Sequence, residues 1–79
     1  MSLLSELLEE EGSKTICEAL LEAASASAKR NVDLNRFEVV VDPNNDTVEI
    51  CDVLEADVSE RVSLGQFRVA VRDALSRLG

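Results

Sequence analysis

The chain has 79 residues, which is enough for one hydrophobic core and too few for two, so residues 1–79 are expected to form a single domain. Its hydrophobic fraction of 46% is typical of a folded globular protein and excludes a disordered tail. The net charge of −8 at pH 7 excludes a general electrostatic attraction to nucleic acid, so any RNA contact has to be local.

Membrane insertion and secretion are not expected from the sequence. The apolar runs are far shorter than the roughly 20 residues that a membrane-spanning helix needs. The N-terminus has neither the basic start nor the small-residue cleavage site of a signal peptide. Two cysteines are too few for a secreted disulfide framework, so we predict a cytoplasmic protein.

A short helix is predicted at the N-terminus, beginning after Ser2 and ending at Gly12. Serine is a preferred N-cap residue, and glycine commonly follows the last helical turn. The leucines of this segment recur at helical spacing, while its glutamates face outward. These leucines are Leu3, Leu4, Leu7 and Leu8.

A second helix is predicted to begin at Ser13 or Thr15 and to continue to Ala28. Its later part is rich in alanine and serine, which allows another element to approach closely. Lys29 and Arg30 are expected at its C-terminal end, where cations complement the helix dipole.

The pattern then changes from helical to alternating. A linker is predicted over residues 31–35. In residues 37–41, Phe37, Val39 and Val41 would lie on one face of a strand, with Glu38 and Val40 on the other. Residues 42–46 combine proline, asparagine and aspartate, which is typical of a tight turn. Val48 and Ile50 continue the apolar face, so the two strands are predicted to form an antiparallel hairpin.

The last part of the chain is predicted to be a helix capped by Ser63. Residues 55–62, which precede it, are polar and read either as a loop or as a continuation of the strand. One face of the helix carries Phe67, Val71, Ala74, Leu75 and Leu78. The predicted fold class is therefore α+β: two N-terminal helices, an antiparallel β-hairpin and a C-terminal helix, with the helices packed on one face of the sheet.

The residue types offer little catalytic chemistry. The chain has no histidine, tyrosine or tryptophan, so the commonest general base and metal ligand are missing. Cys17 and Cys51 lack metal-ligand spacing and are expected to be small buried side chains, or a disulfide if the hairpin packs over the second helix. The aspartates of residues 42–46 fit turn chemistry better than a calcium loop. We therefore predict no enzyme activity, no cofactor and no metal.

Two groups of basic residues are candidates for binding a partner or RNA. Lys29, Arg30 and Arg36 are expected to cluster where the second helix meets the first strand; helix-dipole complementation is the simpler explanation of the first two. Arg68 and Arg72 lie one turn apart on the last helix, where a like-charge pair is slightly unfavourable.

One stretch of the chain resembles a known family. Residues 14–30 match a helix of the N-terminal domain of the bacterial transcription factor NusA, through Ile16, Glu18, Ala19, Leu20, Ala23 and the basic pair Lys29 and Arg30. Residues 37–43 are similar to the first strand and turn of that domain, and residues 48–53 to its second strand. The family usually has a glycine late in this turn, where Asp46 stands here.

The resemblance implies a module of a transcription elongation, termination and antitermination factor. Such a module docks on bacterial RNA polymerase at the flap of the β subunit, and Lys29 and Arg30 would face the nascent RNA. The alternative from the residues alone is a small structural or homo-oligomerisation module, which associates through the alanine- and serine-rich part of the second helix. A thiol-dependent enzyme or redox sensor is a third class.

Overall fold

The periodic patterns of the sequence produce three helices and four strands in the computed structural model, which describes residues 2–55 and 57–78. The elements are, in chain order, α1 (Leu3–Glu11), α2 (Lys14–Ser25), β1 (Arg30–Asp33), β2 (Phe37–Asp42), β3 (Thr47–Asp52), β4 (Ser59–Ser63) and α3 (Leu64–Leu78). The helices pack on one face of an antiparallel sheet, so the predicted α+β class is confirmed. No helix within the described ranges is long and apolar enough to cross a bilayer.

The sheet is a meander in which each strand pairs with its neighbour in the chain, in the order β1-β2-β3-β4. The predicted hairpin is its centre, where Val39 pairs with Ile50 and Val41 with Val48. The turn between them begins at Asp42, whose Oδ1 accepts a hydrogen bond from the Asn44 N–H at 3.2 Å.

Two segments that were expected to be irregular, or were left undecided, are edge strands. The predicted linker over residues 31–35 contains most of β1, and the polar segment 55–62 contains most of β4; Ala56 lies outside the described residues. Each of these strands has only one valine, Val32 and Val62 respectively. These segments become strands because they pair with β2 and β3, and the periodicity of their own residues does not predict that pairing.

Serine caps begin all three helices. The Oγ atoms of Ser2, Ser13 and Ser63 accept hydrogen bonds from N–H groups three residues later, at 3.1, 3.3 and 3.1 Å. Ser13, one of the two predicted starting positions, is the N-cap of α2, whose first helical residue is Lys14. The helix ends at Ser25 and not at Ala28, so the expectation that Lys29 and Arg30 form its last turn is wrong.

Gly12 allows the sharp junction between α1 and α2. A Cβ atom at this position would lie 2.1 Å from the backbone oxygen of Leu8, which is far inside van der Waals contact. The missing side chain therefore lets α1 end at Glu11, with Gly12 alone between it and Ser13, the cap of α2.

The core lies between the helical layer and the inward face of β2 and β3. Phe37 and Phe67 are its largest side chains and are fully buried. The other completely buried apolar side chains are Leu7, Cys17, Leu20, Ala24, Val39, Val41, Val48, Ile50 and Val71. The outer face of the sheet and the groove between α1 and α3 lie outside this core.

Candidate protein-binding surfaces

The basic residues predicted to bind a partner do not form one surface. Lys29 and Arg30 are exposed at the start of β1, where Arg30 pairs with Val41 of β2. Arg36 lies in the loop that joins the end of β1 to β2, so it is at the opposite end of this strand pair from Arg30. The expected cluster of these three residues is therefore wrong, while their role in binding stays a prediction.

Arg36 is the centre of an internal network. Its Nε and Nη2 atoms donate to Oδ2 of Asp52 at 3.2 and 2.9 Å, and its Nη1 donates to the carboxylate of Glu10. The Nη2 atom also lies 3.8 Å from Oε1 of Glu6. The guanidinium carbon is 5.0 Å from the centre of the Phe37 ring, within the range of a cation–π contact. Arg36 thus joins α1, the β1–β2 loop and the end of β3.

The charges of Arg36 and Asp52 stabilise each other. The hydrogen bond from Arg36 holds the pKa of the Asp52 carboxyl below its usual range, against the opposing effect of burial, and the Leu54 N–H adds a bond at 2.9 Å. The same bond raises the pKa of Arg36. Only 2% of Asp52 is exposed, so this carboxylate serves the fold and is not available to a ligand.

The alternating pattern of β3 predicts that Asp52 is buried. Val48 and Ile50 alternate towards the core, and the same alternation places Asp52 on the buried face two residues later. A carboxylate at such a position needs a cation beside it, because an unpaired buried charge is strongly unfavourable. Arg36 was predicted to lie at the surface because the alternation was not extended to Asp52.

Carboxylates also fasten α1 to the sheet at both ends. Near its C-terminus, Glu11 accepts hydrogen bonds from the backbone N–H groups of Asn35 at 2.9 Å and Arg36 at 3.2 Å. At its N-terminus, Oε1 of Glu60 on β4 accepts from the Leu4 N–H at 3.0 Å, where the helix dipole favours a negative charge. Much of the acidic charge near α1 is therefore used within the chain.

The two arginines of α3 have different surroundings. Arg68 Nη2 donates to the carbonyl oxygen of Ala24 at 2.6 Å, so it satisfies a carbonyl in the last turn of α2. Arg72 is exposed, and among the described side chains it has no ion pair. Arg68 thus acts as a structural contact between α2 and α3, and Arg72 is the one of the pair whose charge faces solvent.

The outer face of the sheet is acidic, and no described helix covers it. Half-buried Val40 and Cys51 lie near its centre, and Glu49 approaches Arg61 to 3.8 Å. The carboxylates on this face outnumber the single arginine; they are Asp33, Glu38, Asp42 and Glu49. Both phenylalanines of the chain are buried, so this face has no aromatic platform on which bases could stack.

The two cysteines lie on opposite sides of the sheet. Cys17 is fully buried in the helical layer, and Cys51 is half-buried on the outer face. Both are free thiols, so the predicted disulfide alternative is wrong. Burial raises the pKa of Cys17; burial and the charges of Glu49 and Glu38 raise the pKa of Cys51, so both favour the less reactive thiol form.

A groove of about 440 Å³ separates α1 from α3. Its apolar lining comes from both helices, with Leu4 and Leu8 on one side and Ala70 and Ala74 on the other. The exposed end of the groove is formed by Leu78, which is 53% exposed. Its polar lining consists of Ser5, Glu9, Asp73 and Arg77.

Metal-binding chemistry is not prominent in the arrangement. Within residues 2–55 and 57–78, no group of three or more cysteine, aspartate or glutamate side chains is placed to hold a metal ion. The buried carboxylate of Asp52 is occupied by Arg36. What the described residues offer is surface: an acidic sheet face, an apolar groove and a few separated cations.

Comparison with known proteins gave no relative. No protein-family model, no curated protein and no solved structure matches the chain. The resemblance of residues 14–53 to the NusA domain therefore stays a prediction.

Proposed function

We propose that this chain is a protein-binding module of the bacterial transcription apparatus and that its partner is RNA polymerase, at the flap of the β subunit. The observation that carries the proposal is the order of elements over the residues that resemble NusA. Residues 14–25 form a helix and residues 37–52 form a hairpin, in the order that the resemblance implies.

The turn of this hairpin adds support. Asp46 has a φ of 54°, the only left-handed conformation among the non-glycine residues described. Glycine adopts this conformation most easily, and aspartate is one of the few other residues that tolerates it. The NusA family usually has a glycine at this place in the turn. The backbone geometry of the turn is therefore compatible with the resemblance, despite the difference in residue type.

The distribution of charge favours a protein over RNA as the main partner. Arg36 and Arg68 are engaged inside the fold, which leaves Lys29, Arg30 and Arg72 as the exposed members of the predicted basic set. The acidic outer face of the sheet would repel a phosphate backbone. A contact with nascent RNA is therefore proposed only at Lys29 and Arg30, and the cytoplasm is the proposed location.

A binding experiment with purified proteins tests the proposal. The immobilised chain is expected to retain core bacterial RNA polymerase, and the isolated β-flap should compete with this retention. The matched control is the same chain unfolded by a core substitution, Phe67→Asp, which should retain neither. If the folded chain retains neither the polymerase nor the flap, the proposal is wrong.

The RNA contact needs its own measurement. Crosslinking of nascent RNA to the chain in a stalled elongation complex should fall when Lys29 and Arg30 are both changed to glutamine, while polymerase retention stays unchanged. Arg72→Gln is the matched control, because it removes an exposed cation elsewhere. If the wild type, the double variant and Arg72→Gln crosslink equally, the proposed RNA contact at Lys29 and Arg30 is wrong and only protein binding remains.

The alternative of a homo-oligomerisation module has weaker support from the geometry. Ala23 and Ala24 belong to the small-residue part of α2 and are already buried within one chain, where Arg68 of α3 bonds to the Ala24 carbonyl. Self-association through this seam would require α2 and α3 to separate. Light scattering at micromolar concentration distinguishes the two functions, because the polymerase-binding module is expected to be monomeric.

A further inference from the structure

The helices α1 and α3 pack incompletely against each other along the groove between them. Leu4 is buried, but Leu8 and Ala70 are only partly buried, and Leu78 is 53% exposed. Alanine at positions 70 and 74 leaves space that larger side chains of α3 would have filled. The result is a strip of apolar surface bounded by two helices, the shape that accepts a third helix by ridges-into-grooves packing.

The charge on the α1 side of the groove selects the occupant. Residues 3–11 include four glutamates and no lysine or arginine. Three of them contact the β1–β2 loop, as described above, whereas Glu9 lines the groove and has no ion pair among the described residues. An occupant that places a cation beside Glu9 gains an attraction that a neutral or acidic helix lacks.

The α3 side of the groove is electrically balanced. Arg77 Nη2 lies 3.1 Å from Oδ2 of Asp73, one helical turn earlier, so these two charges satisfy each other. The uncompensated charge of the groove is therefore on its α1 side. A second copy of the chain is a poor occupant, because each copy carries a net charge of −8 and association would bring like charges together.

We propose that the groove between α1 and α3 binds a short amphipathic helix of another protein, with its apolar face on Ala70 and Ala74 and a lysine or arginine beside Glu9. The inference goes beyond the proposed function, because it names the surface and the kind of ligand without requiring that RNA polymerase supplies the helix. It can therefore fail while polymerase binding holds, or hold while polymerase binding fails.

The test uses a fluorescent peptide of about 15 residues, built from leucine, lysine and alanine so that it forms an amphipathic helix. Fluorescence anisotropy is expected to show saturable binding to the whole chain. Two matched peptides serve as controls. One has the same composition with its leucines moved off a single face, and the other has glutamate in place of lysine. Both should bind at least about tenfold more weakly, equivalent to roughly 1.4 kcal/mol.

Two substitutions on neighbouring residues locate the binding site. Ala70→Lys puts a charge into the groove, whereas Val69→Lys puts the same charge on a side chain that is 67% exposed and outside the groove lining. Ala70→Lys is expected to weaken peptide binding about tenfold or more, and Val69→Lys to change it less than about twofold. Circular dichroism of each variant establishes that it is folded, and Leu78→Ser provides a second groove variant if Ala70→Lys is not.

The role of Glu9 is tested by salt dependence. Glu9→Gln should weaken the binding and reduce its dependence on ionic strength, whereas Glu18→Gln, an exposed change on α2, should do neither. The proposal is overturned if the scrambled peptide binds as well as the amphipathic one. It is also overturned if Ala70→Lys and Val69→Lys weaken peptide binding equally. The same holds if, in an NMR titration, the amide chemical shifts that the peptide changes belong to the sheet and not to α1 and α3.

Discussion

Arg36 directs two of its nitrogens, Nε and Nη2, at one oxygen of Asp52, with distances of 3.2 and 2.9 Å. The two residues are 16 positions apart, with Arg36 in the β1–β2 loop and Asp52 at the end of β3, so their contact fixes the end of β3 against this loop. Because Glu6 and Glu10 approach the same guanidinium, the position of α1 depends on this contact as well.

Replacing Asp52 by asparagine should lower both the stability of the fold and its dependence on pH. The pKa of Asp52 is lower in the folded chain than in the unfolded one. This carboxylate therefore stabilises the fold above the unfolded pKa of about 4, and its contribution is lost as the pH falls through the lower folded pKa. Urea unfolding between about pH 7 and pH 2 should show a smaller loss of stability on acidification for Asp52→Asn than for the wild type.

Glu55→Gln is the matched control for this measurement. Glu55 is exposed and lies three residues after Asp52, so its substitution should leave the pH profile close to that of the wild type. The Asp52 variant is expected to keep some acid dependence, because hydrogen bonds from Asn45 and Asn44 also lower the pKa of Asp42. A variant with the wild-type profile would show that the pair with Arg36 contributes little to stability.

Ser63→Ala should destabilise the chain by about 1 kcal/mol, the usual cost of losing a serine N-cap. The Ser63 Oγ accepts from the Gln66 N–H at 3.1 Å, and Gln66 Oε1 accepts from the Ser63 N–H at 3.2 Å, which is a capping box. Ser76→Ala on the exposed side of the same helix is the control. It should be neutral or slightly stabilising, because alanine has the higher helix propensity. Equal unfolding midpoints in urea for the two variants would contradict this assignment of the cap.

The two thiols should differ in reactivity towards Ellman's reagent. Cys17 has no exposed surface and is expected to react only after unfolding, whereas half-buried Cys51 should react slowly in the folded chain. The raised pKa of each thiol lowers the thiolate fraction at neutral pH. Cys51→Ala should remove the reaction of the folded chain. Rapid release of two equivalents from the native wild type would mean that the core around Cys17 opens readily.

The sequence predicts the parts of this fold whose signals are local. The leucines before Gly12, the alternation through Phe37 and Ile50, and the serine at position 63 each act within a few residues, and the elements they predict are present. The edge strand β1 was missed and β4 was left undecided, because each is polar and becomes a strand by pairing with a neighbour. The end of α2 was placed three residues late, where alanine and serine allow helix or turn equally.

The candidate surfaces were predictable only where a residue's environment follows from its own element. Lys29, between α2 and β1, and Arg30, the first residue of β1, are exposed, as charged side chains usually are. Arg36 and Arg68 look the same in the sequence, yet their guanidinium groups bind Asp52 and the Ala24 carbonyl, which are 16 and 44 positions away. The groove is likewise a property of two helices from opposite ends of the chain.

The contact between Glu60 and the Leu4 N–H has a consequence for synthesis of the chain on the ribosome. The first helix is translated before the carboxylate of Glu60, which caps it, and before the α3 residues beside it. Until then α1 can contact β3, but part of the native surface that covers its leucines is missing, which is the situation in which nascent chains recruit chaperones.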